Sequence, residues 1–190
     1  MITVNVEACH VIAKPLVVIE EDGSIRAEGT IKIEIEETYV EYDEEEEGEV
    51  IDIFKVHSYN ANMILFMLHH LLPHNTVGIA GEIDWKTDFD KEGVSFINVI
   101  ITPQTVMHGP DSCATSEDIN LSAEYMVLVH ILRHYDNNEH ISTCVSYEVL
   151  ERKLKTLHSS LFPTVPYENV PPEVNINDDY NDNDENIPIR

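Results

Sequence analysis

Positive charge is scarce in this chain: 11 Lys and Arg stand against 36 Asp and Glu in 190 residues, a formal charge of −25. Lys and Arg make most phosphate contacts, so this composition excludes tight binding of a polyanion by charge alone. The deficit runs throughout, with 21 acidic against 6 basic residues in 1–110, 8 against 4 in 111–162 and 7 against 1 in 163–190. Cysteine is also rare. Cys9, Cys113 and Cys144 are odd in number, far apart and without a CxxC pair, with no secretory leader expected ahead of them. That excludes a disulfide framework and fits a reduced, cytoplasmic setting. The longest apolar run, 63–72, is interrupted by His69 and His70 and falls short of the roughly 20 residues that cross a bilayer. A soluble protein without a membrane partner is expected. GxSxG, P-loop, GxGxxG and HExxH motifs are all missing, so neither catalysis nor a cofactor is expected.

What is present is β-branched and alternating. Residues 2–18 read as two short strands, broken at Lys14-Pro15, because proline cannot donate to a sheet interior. An Asp-Gly turn (Asp22-Gly23) leads into 25–39, where Ile31, Ile33 and Ile35 alternate with Lys32, Glu34 and Glu36. The acidic run 42–49 reads as a mobile loop, since like charges and low hydrophobicity leave nothing to offset ordering. A strand over 50–59, a helix over 60–72 ended by Pro73, and strands over 76–85 and 94–102 follow. His69, His70 and His74 are placed to cap the helix's last carbonyls. Five strands with one helix between the third and fourth describe a mainly β, five-stranded OB-fold barrel over 1–110.

Beyond a loop at 103–119, the pattern predicts a small, mostly helical appendage within 111–162. Its parts are a helix over 121–135, an extended piece over 140–145, and a helix over 147–158 with Ser146 as N-cap and Glu148 in its first turn. His130 and His134 share a helix face near His140 and Cys144, a spacing that admits zinc, but without a second tight ligand pair interface histidines are the expectation and no metal is assigned. Arg152, Lys153 and Lys155 form the one basic cluster, which admits a winged-helix-like module or a simple complement to the helix dipole. The prolines and Asn/Asp run of 163–190 describe a disordered acidic tail.

Four stretches within residues 4–107 carry a family likeness: 11–23, a Pro-led strand running into a Gly turn; Ile31-Lys-Ile-Glu-Ile-Glu-Glu-Thr-Tyr39; 50–56 leading into a helix; and Gly78-Ile-Ala-Gly81-Glu-Ile-Asp-Trp85. In order and spacing they resemble bacterial single-stranded DNA-binding proteins. The terminal Asp182-Asn-Asp-Glu-Asn-Ile187-Pro188-Ile189-Arg190 is similar to that family's acidic end peptide, with Ile189 where the family ends on Phe and Arg190 added. The resemblance implies base stacking on Tyr39 and Trp85, and a strand that carries further contacts at Phe54 and Lys55. It also implies a homo-oligomer, and a tail (Asp184, Glu185, Ile187, Pro188, Ile189) that docks replication or repair proteins.

Lys14, Lys32, Lys55 and Lys86 are the cations on hand for phosphates, few enough to predict weak single-stranded DNA binding with a shallow salt slope. Two functions therefore stay open. One is a single-stranded DNA-binding protein of replication, repair or recombination. The other is an acidic OB-like module that binds proteins as a nucleic-acid mimic or decoy, with Glu34, Glu36, Glu41 and Glu82 as its carboxylates. The divergent, Asn/Asp-rich character suggests a phage or mobile element acting in a bacterial cytoplasm.

Overall fold

The computed structural model describes residues 2–41, 44–116, 120–136 and 140–167, and for 34–41 and 44–52 the backbone alone. The elements run β1 (Ile2–Ile19), β2 (Ile25–Glu41), β3 (Glu44–Ser58), α1 (Ala61–His70), β4 (Thr76–Phe89), β5 (Ser95–His108), β6 (Ser112–Thr115), α2 (Leu121–Arg133), β7 (Ile141–Thr143) and α3 (Tyr147–Leu161). β1 pairs with β2 and β4, and the path β1-β2-β3-β5-β4 returns to β1. The seam is the parallel pairing of Lys55 with Ile100 and Val56 with Ile101; the other barrel pairs are antiparallel. The protein is mainly β, with a closed five-stranded barrel of OB type and helices beyond it.

Several elements depart from the sequence expectation. The two strands of 2–18 are one: pairing jumps from Ala13–Thr30 to Leu16–Glu28, so Lys14 and Pro15 together oppose Gly29. A bulge absorbs the proline without ending the strand. The acidic run is not a loop across its length, because β3 begins at Glu44 and pairs Glu45 with Val40 and Glu49 with Glu36. The backbone ladder of the barrel strands carries straight on into this hairpin. The expected loop from 103 is strand as well. Pro103 lies where the β4–β5 register shifts between Ala80 and Gly81, so its missing N–H interrupts nothing, and β5 continues to His108 and folds back as β6.

α1 closes one end of the barrel. Asn60 caps it, its side-chain oxygen accepting from the Met63 N–H at 3.0 Å. Met63, Ile64, Met67 and Leu71 are buried against Val11, Ile31, Val56, Ile79 and Ile101. Gly29 permits this seating: a Cβ there would stand 2.8 Å from Leu71 Cδ2. At the helix end Asn75 Nδ2 donates to the His70 carbonyl at 2.9 Å, and the His70 ring stacks on His108 and lies tilted 4.3 Å from Phe66.

The 111–162 segment shares this core. α2 is buried from Val127 to Leu132, as an apolar helix sandwiched between α1 and α3 must be. β7 pairs in parallel with Val17–Ile19 of β1, beyond His10 where β4 leaves that strand. This is not a winged-helix arrangement, since the short strand belongs to the barrel sheet. Ser146 holds the N-cap position of α3 with no side-chain cap bond. Residues 163–167 are placed too: His158 bridges the Tyr125 hydroxyl (3.2 Å) and the Val165 carbonyl (3.1 Å), and Tyr167 packs on its ring.

Candidate nucleic-acid interface

β4 and β5 extend past the barrel as a two-stranded ribbon joined by residues 90–94. Asp90 Oδ1 accepts from the Glu92 and Val94 N–H groups at 2.9 and 2.8 Å, and Gly93 takes φ 80°. Such a turn sets register, and register sets the faces. Trp85 pairs with Val99, Thr87 with Ile97 and Phe89 with Ser95. These residues continue the face of Ile83 and Ile101, which point into the barrel. Once past the barrel's end no described element covers them. Trp85 is 58%, Ile97 67% and Phe89 69% exposed, giving an apolar stripe along one side of the ribbon.

The opposite side is polar. Asn98 Nδ2 donates to Asp88 Oδ2 at 2.6 Å and Lys86 Nζ lies 3.4 Å from Asp88 Oδ1, with Phe96 exposed further along. Phe89, Phe96 and Ile97 were not singled out from sequence. Part of the signal was available: Ile83, Trp85 and Phe89 keep one parity before the 90–93 turn, broken at Thr87, and Ile97, Val99 and Ile101 keep one after it.

On β2 and β3, Ala27, Ile31, Val56 and Ser58 face inward, leaving Arg26, Glu28, Thr30, Lys32, Ile53, Lys55 and His57 on the outer surface. Phe54 pairs with Ile31 and packs against the core, so its ring faces the barrel interior. Lys55 Nζ contacts Glu28 Oε1 at 3.3 Å and Thr30 Oγ1 at 3.1 Å. Arg26 spans Glu20 (3.3 Å) and Glu28 (3.2 Å), and His57 Nε2 lies 3.1 Å from Glu28. Burial lowers the His57 pKa, with the Glu28 carboxylate opposing and Arg26 adding to the shift. Lys14 is exposed at the β1 bulge beside Gly29. Tyr39 lies on β2 opposite Glu46, and Glu34, Glu36 and Glu41 lie on the same strand opposite Ile51, Glu49 and Glu44, all outside the described side chains. Glu82 accepts from Gln104 Nε2 at 3.1 Å. The tail residues Asp184, Glu185, Ile187, Pro188 and Ile189 lie outside the described residues.

The helical layer gathers histidines. The His130 and His134 rings lie 4.7 Å apart and tilted, and among the described residues no group of three or more His, Cys, Asp or Glu is arranged to hold a metal ion. Burial first, then His134, His69 and Arg133, bring the His130 pKa down to about 4. Of the basic cluster on α3, Lys153 pairs with Glu124 and Lys155 with Glu151. The three cysteines are free; Cys9 is buried, which raises its pKa to about 11. Among the described residues no helix is long and apolar enough to cross a membrane.

No protein-family model matches the chain, and no curated protein matches it. Solved structures similar to it include a small single-stranded DNA-binding protein from Streptomyces coelicolor, 16% identical over 56% of this chain and 93% of that one, with a TM-score of 0.44. A Plasmodium falciparum SSB in complex with ssDNA is 12% identical, over 60% and 91% of the two chains, at 0.43. A mitochondrial single-stranded DNA binding protein from S. cerevisiae is 5% identical, over 58% and 97%, at 0.39.

Proposed function

We propose that the chain binds single-stranded DNA, with bases stacked along the apolar face of the β4–β5 ribbon and phosphates met by the lysines of the outer barrel surface. The observation that carries this reading is the exposed stripe of Trp85, Ile97 and Phe89. Two aromatic rings and an isoleucine left uncovered on a projecting ribbon mark an interaction surface. Stacking on such rings contributes about 1–3 kcal/mol per base whatever the base. Tyr39 serves as a further platform, Lys14, Lys32, Lys55 and Lys86 as the phosphate contacts, and Phe54 as the interior support of its strand. The few cations, with Lys55 beside Glu28 and Lys86 beside Asp88, limit affinity.

In this reading the protein acts in replication, repair or recombination as a homo-oligomer in the cytoplasm of a bacterial host, encoded by a phage or mobile element. Its tail, through Asp184, Glu185, Ile187, Pro188 and Ile189, recruits replication or repair proteins. Deletion of residues 183–190 is expected to leave DNA affinity intact and to abolish partner pull-down.

The direct test is emission from the single tryptophan during titration with oligo-dT at low and moderate salt. Quenching at low salt that weakens as salt rises supports the reading. Unchanged emission at micromolar protein and low salt overturns it. In that case the mimic or decoy function, with Glu34, Glu36, Glu41 and Glu82 as its carboxylates, takes its place.

A further inference from the structure

We infer that Arg26, Lys55 and His57 form a latent phosphate-binding site whose resident occupant is the carboxylate of Glu28. The inference rests on the proposed single-strand function and adds a residue that sets its affinity.

The donors converge from two strands. Glu28 Oε2 meets Arg26 Nη1 at 3.2 Å and His57 Nε2 at 3.1 Å, while Oε1 meets Lys55 Nζ at 3.3 Å. Both carboxylate oxygens are thus engaged, one by a guanidinium and an imidazole and the other by an ammonium. Two anionic oxygens about as far apart are what a phosphodiester presents, and Arg, Lys and His are the side chains that take it. His57 completes the cluster: its ring lies 3.1 Å through Nδ1 and 3.3 Å through Nε2 from Arg26 Nη1, and Nε2 faces Glu28 Oε2. Thr30 Oγ1 accepts from Lys55 at 3.1 Å and steadies the ammonium.

Placement and access suit a ligand from solvent. The side chains are 17% to 37% exposed, Lys55 the most, on the outer face that continues through Ile100 of β5 to Asp84 of β4. Glu20, at the β1–β2 turn, holds Arg26 Nε at 3.3 Å and supports the cluster from its rim.

Charge balance explains why such a site is silent. Arg26 and Lys55 are matched by Glu20 and Glu28, with His57 neutral, so the cluster presents no net charge to an approaching strand. A phosphate gains these donors only when the Glu28 carboxylate swings out, and the contact then neutralises less charge than a bare cation would. The consequence is weak binding with a shallow salt dependence, imposed by one side chain rather than by the overall charge of the protein.

The experiment compares wild type with Glu28→Gln and Glu82→Gln in oligo-dT titrations at several salt concentrations. Each variant removes one negative charge from the outer barrel surface, but Glu82 bonds to Gln104 and not to the cluster. Glu28→Gln is expected to bind roughly fivefold or more tightly at low salt. Its log K against log salt slope should steepen by about 0.7 to 1.4, the effect of one or two added phosphate contacts; Glu82→Gln should gain little. A Lys55→Ala change made on top of Glu28→Gln is expected to remove the gain. Equal gains in Glu28→Gln and Glu82→Gln, or none in either while wild type binds, overturn the site and leave the DNA-binding reading standing. If no form binds oligo-dT, that reading fails, and the site is decided by inorganic phosphate. A shift of the His57 ring resonances in Glu28→Gln but not in wild type upholds it; no shift overturns it. Should Glu28→Gln fold poorly, Glu28→Asp keeps the charge but draws the carboxylate back by one methylene from the donors, and its slope is read in the same way.

Discussion

Trp85 and Lys86, neighbours in the chain, stand on opposite faces of the β4–β5 ribbon: Trp85 lies beside Val99 on the apolar side, and Lys86 reaches Asp88 on the polar side. A base on the indole and a phosphate on the ammonium therefore belong to different surfaces, and their removal should be separable. Trp85→Ala is expected to weaken oligo-dT binding by about 1–3 kcal/mol with the salt slope unchanged, because stacking releases no counterions. Lys86→Ala should cost less at moderate salt and flatten the slope by about 0.7. Binding isotherms at four salt concentrations check both. Parallel losses of affinity and slope in Trp85→Ala contradict the division of faces.

Phe89 and Ile97 complete the stripe, so the loss on replacing them tells whether bases run along the ribbon or meet Trp85 alone. Phe89→Ala is expected to reduce affinity by about 1 kcal/mol or more while leaving the melting temperature close to wild type, since the ring is exposed and supports no core. Oligo-dT affinity with a thermal melt of each variant decides it. An unchanged affinity confines contact to Trp85.

The order of barrel elements was legible because β-branched alternation and one apolar run of helical length survive in the chain. Trp85 was legible as a surface ring through its place after Gly81. The faces were not. Ser58 is polar yet buried, and Ile53 is apolar yet exposed, so side-chain polarity misreports which way β3 faces and Phe54 reads as equally fit for either side. The cluster around Glu28 was hidden for another reason. Arg26 and His57 are 31 positions apart, and only the register that sets Glu28 opposite His57 brings them together. The hairpin through the acidic run was missed because charge repulsion was weighed and backbone pairing was not.

Gly81 sits at the register shift between β4 and β5, and a Cβ there would lie 2.3 Å from the Thr102 carbonyl oxygen and 2.8 Å from Pro103 Cα. Both neighbours are backbone, which cannot rotate away. Gly81→Ala is expected to destabilise the fold by about 2–4 kcal/mol. Gly29→Ala meets only the ends of Leu71 and Met67 and should cost less. Urea denaturation of the two variants gives the ranking, and an equal or smaller loss at Gly81 would show that the bulge can open.

Asn60 joins α1 to the segment that follows β6. Its side-chain oxygen accepts from Met63 N–H while its Nδ2 donates to the Ser116 carbonyl, each at 3.0 Å. Asn60→Ala removes both, for an expected loss of about 1–2 kcal/mol, whereas Asn60→Asp keeps the cap and forfeits the donor. An intermediate stability for Asn60→Asp in urea is the expected result; stability equal to wild type would mean that the Ser116 contact contributes nothing.

Acid should loosen the helical layer before it protonates most carboxylates. His130 is buried in α2, and its folded pKa of about 4 lies below the 6.5 of an exposed histidine. Above 6.5 neither state carries the proton and stability is at its full value; between 6.5 and 4 the unfolded chain takes it up and the folded chain does not. Stability therefore falls as pH drops through this window, by roughly 1.4 kcal/mol per pH unit and about 3 kcal/mol in all from this residue. His70 and His134, lowered chiefly by burial, and His57 act in the same direction. Urea midpoints of wild type and His130→Asn at pH 7.5 and 5.0 isolate the effect. The variant starts less stable, having lost the packed ring, but should lose about 1.5–2 kcal/mol less than wild type between the two conditions. Equal losses would mean that His130 takes up its proton in the folded protein as readily as in the unfolded chain.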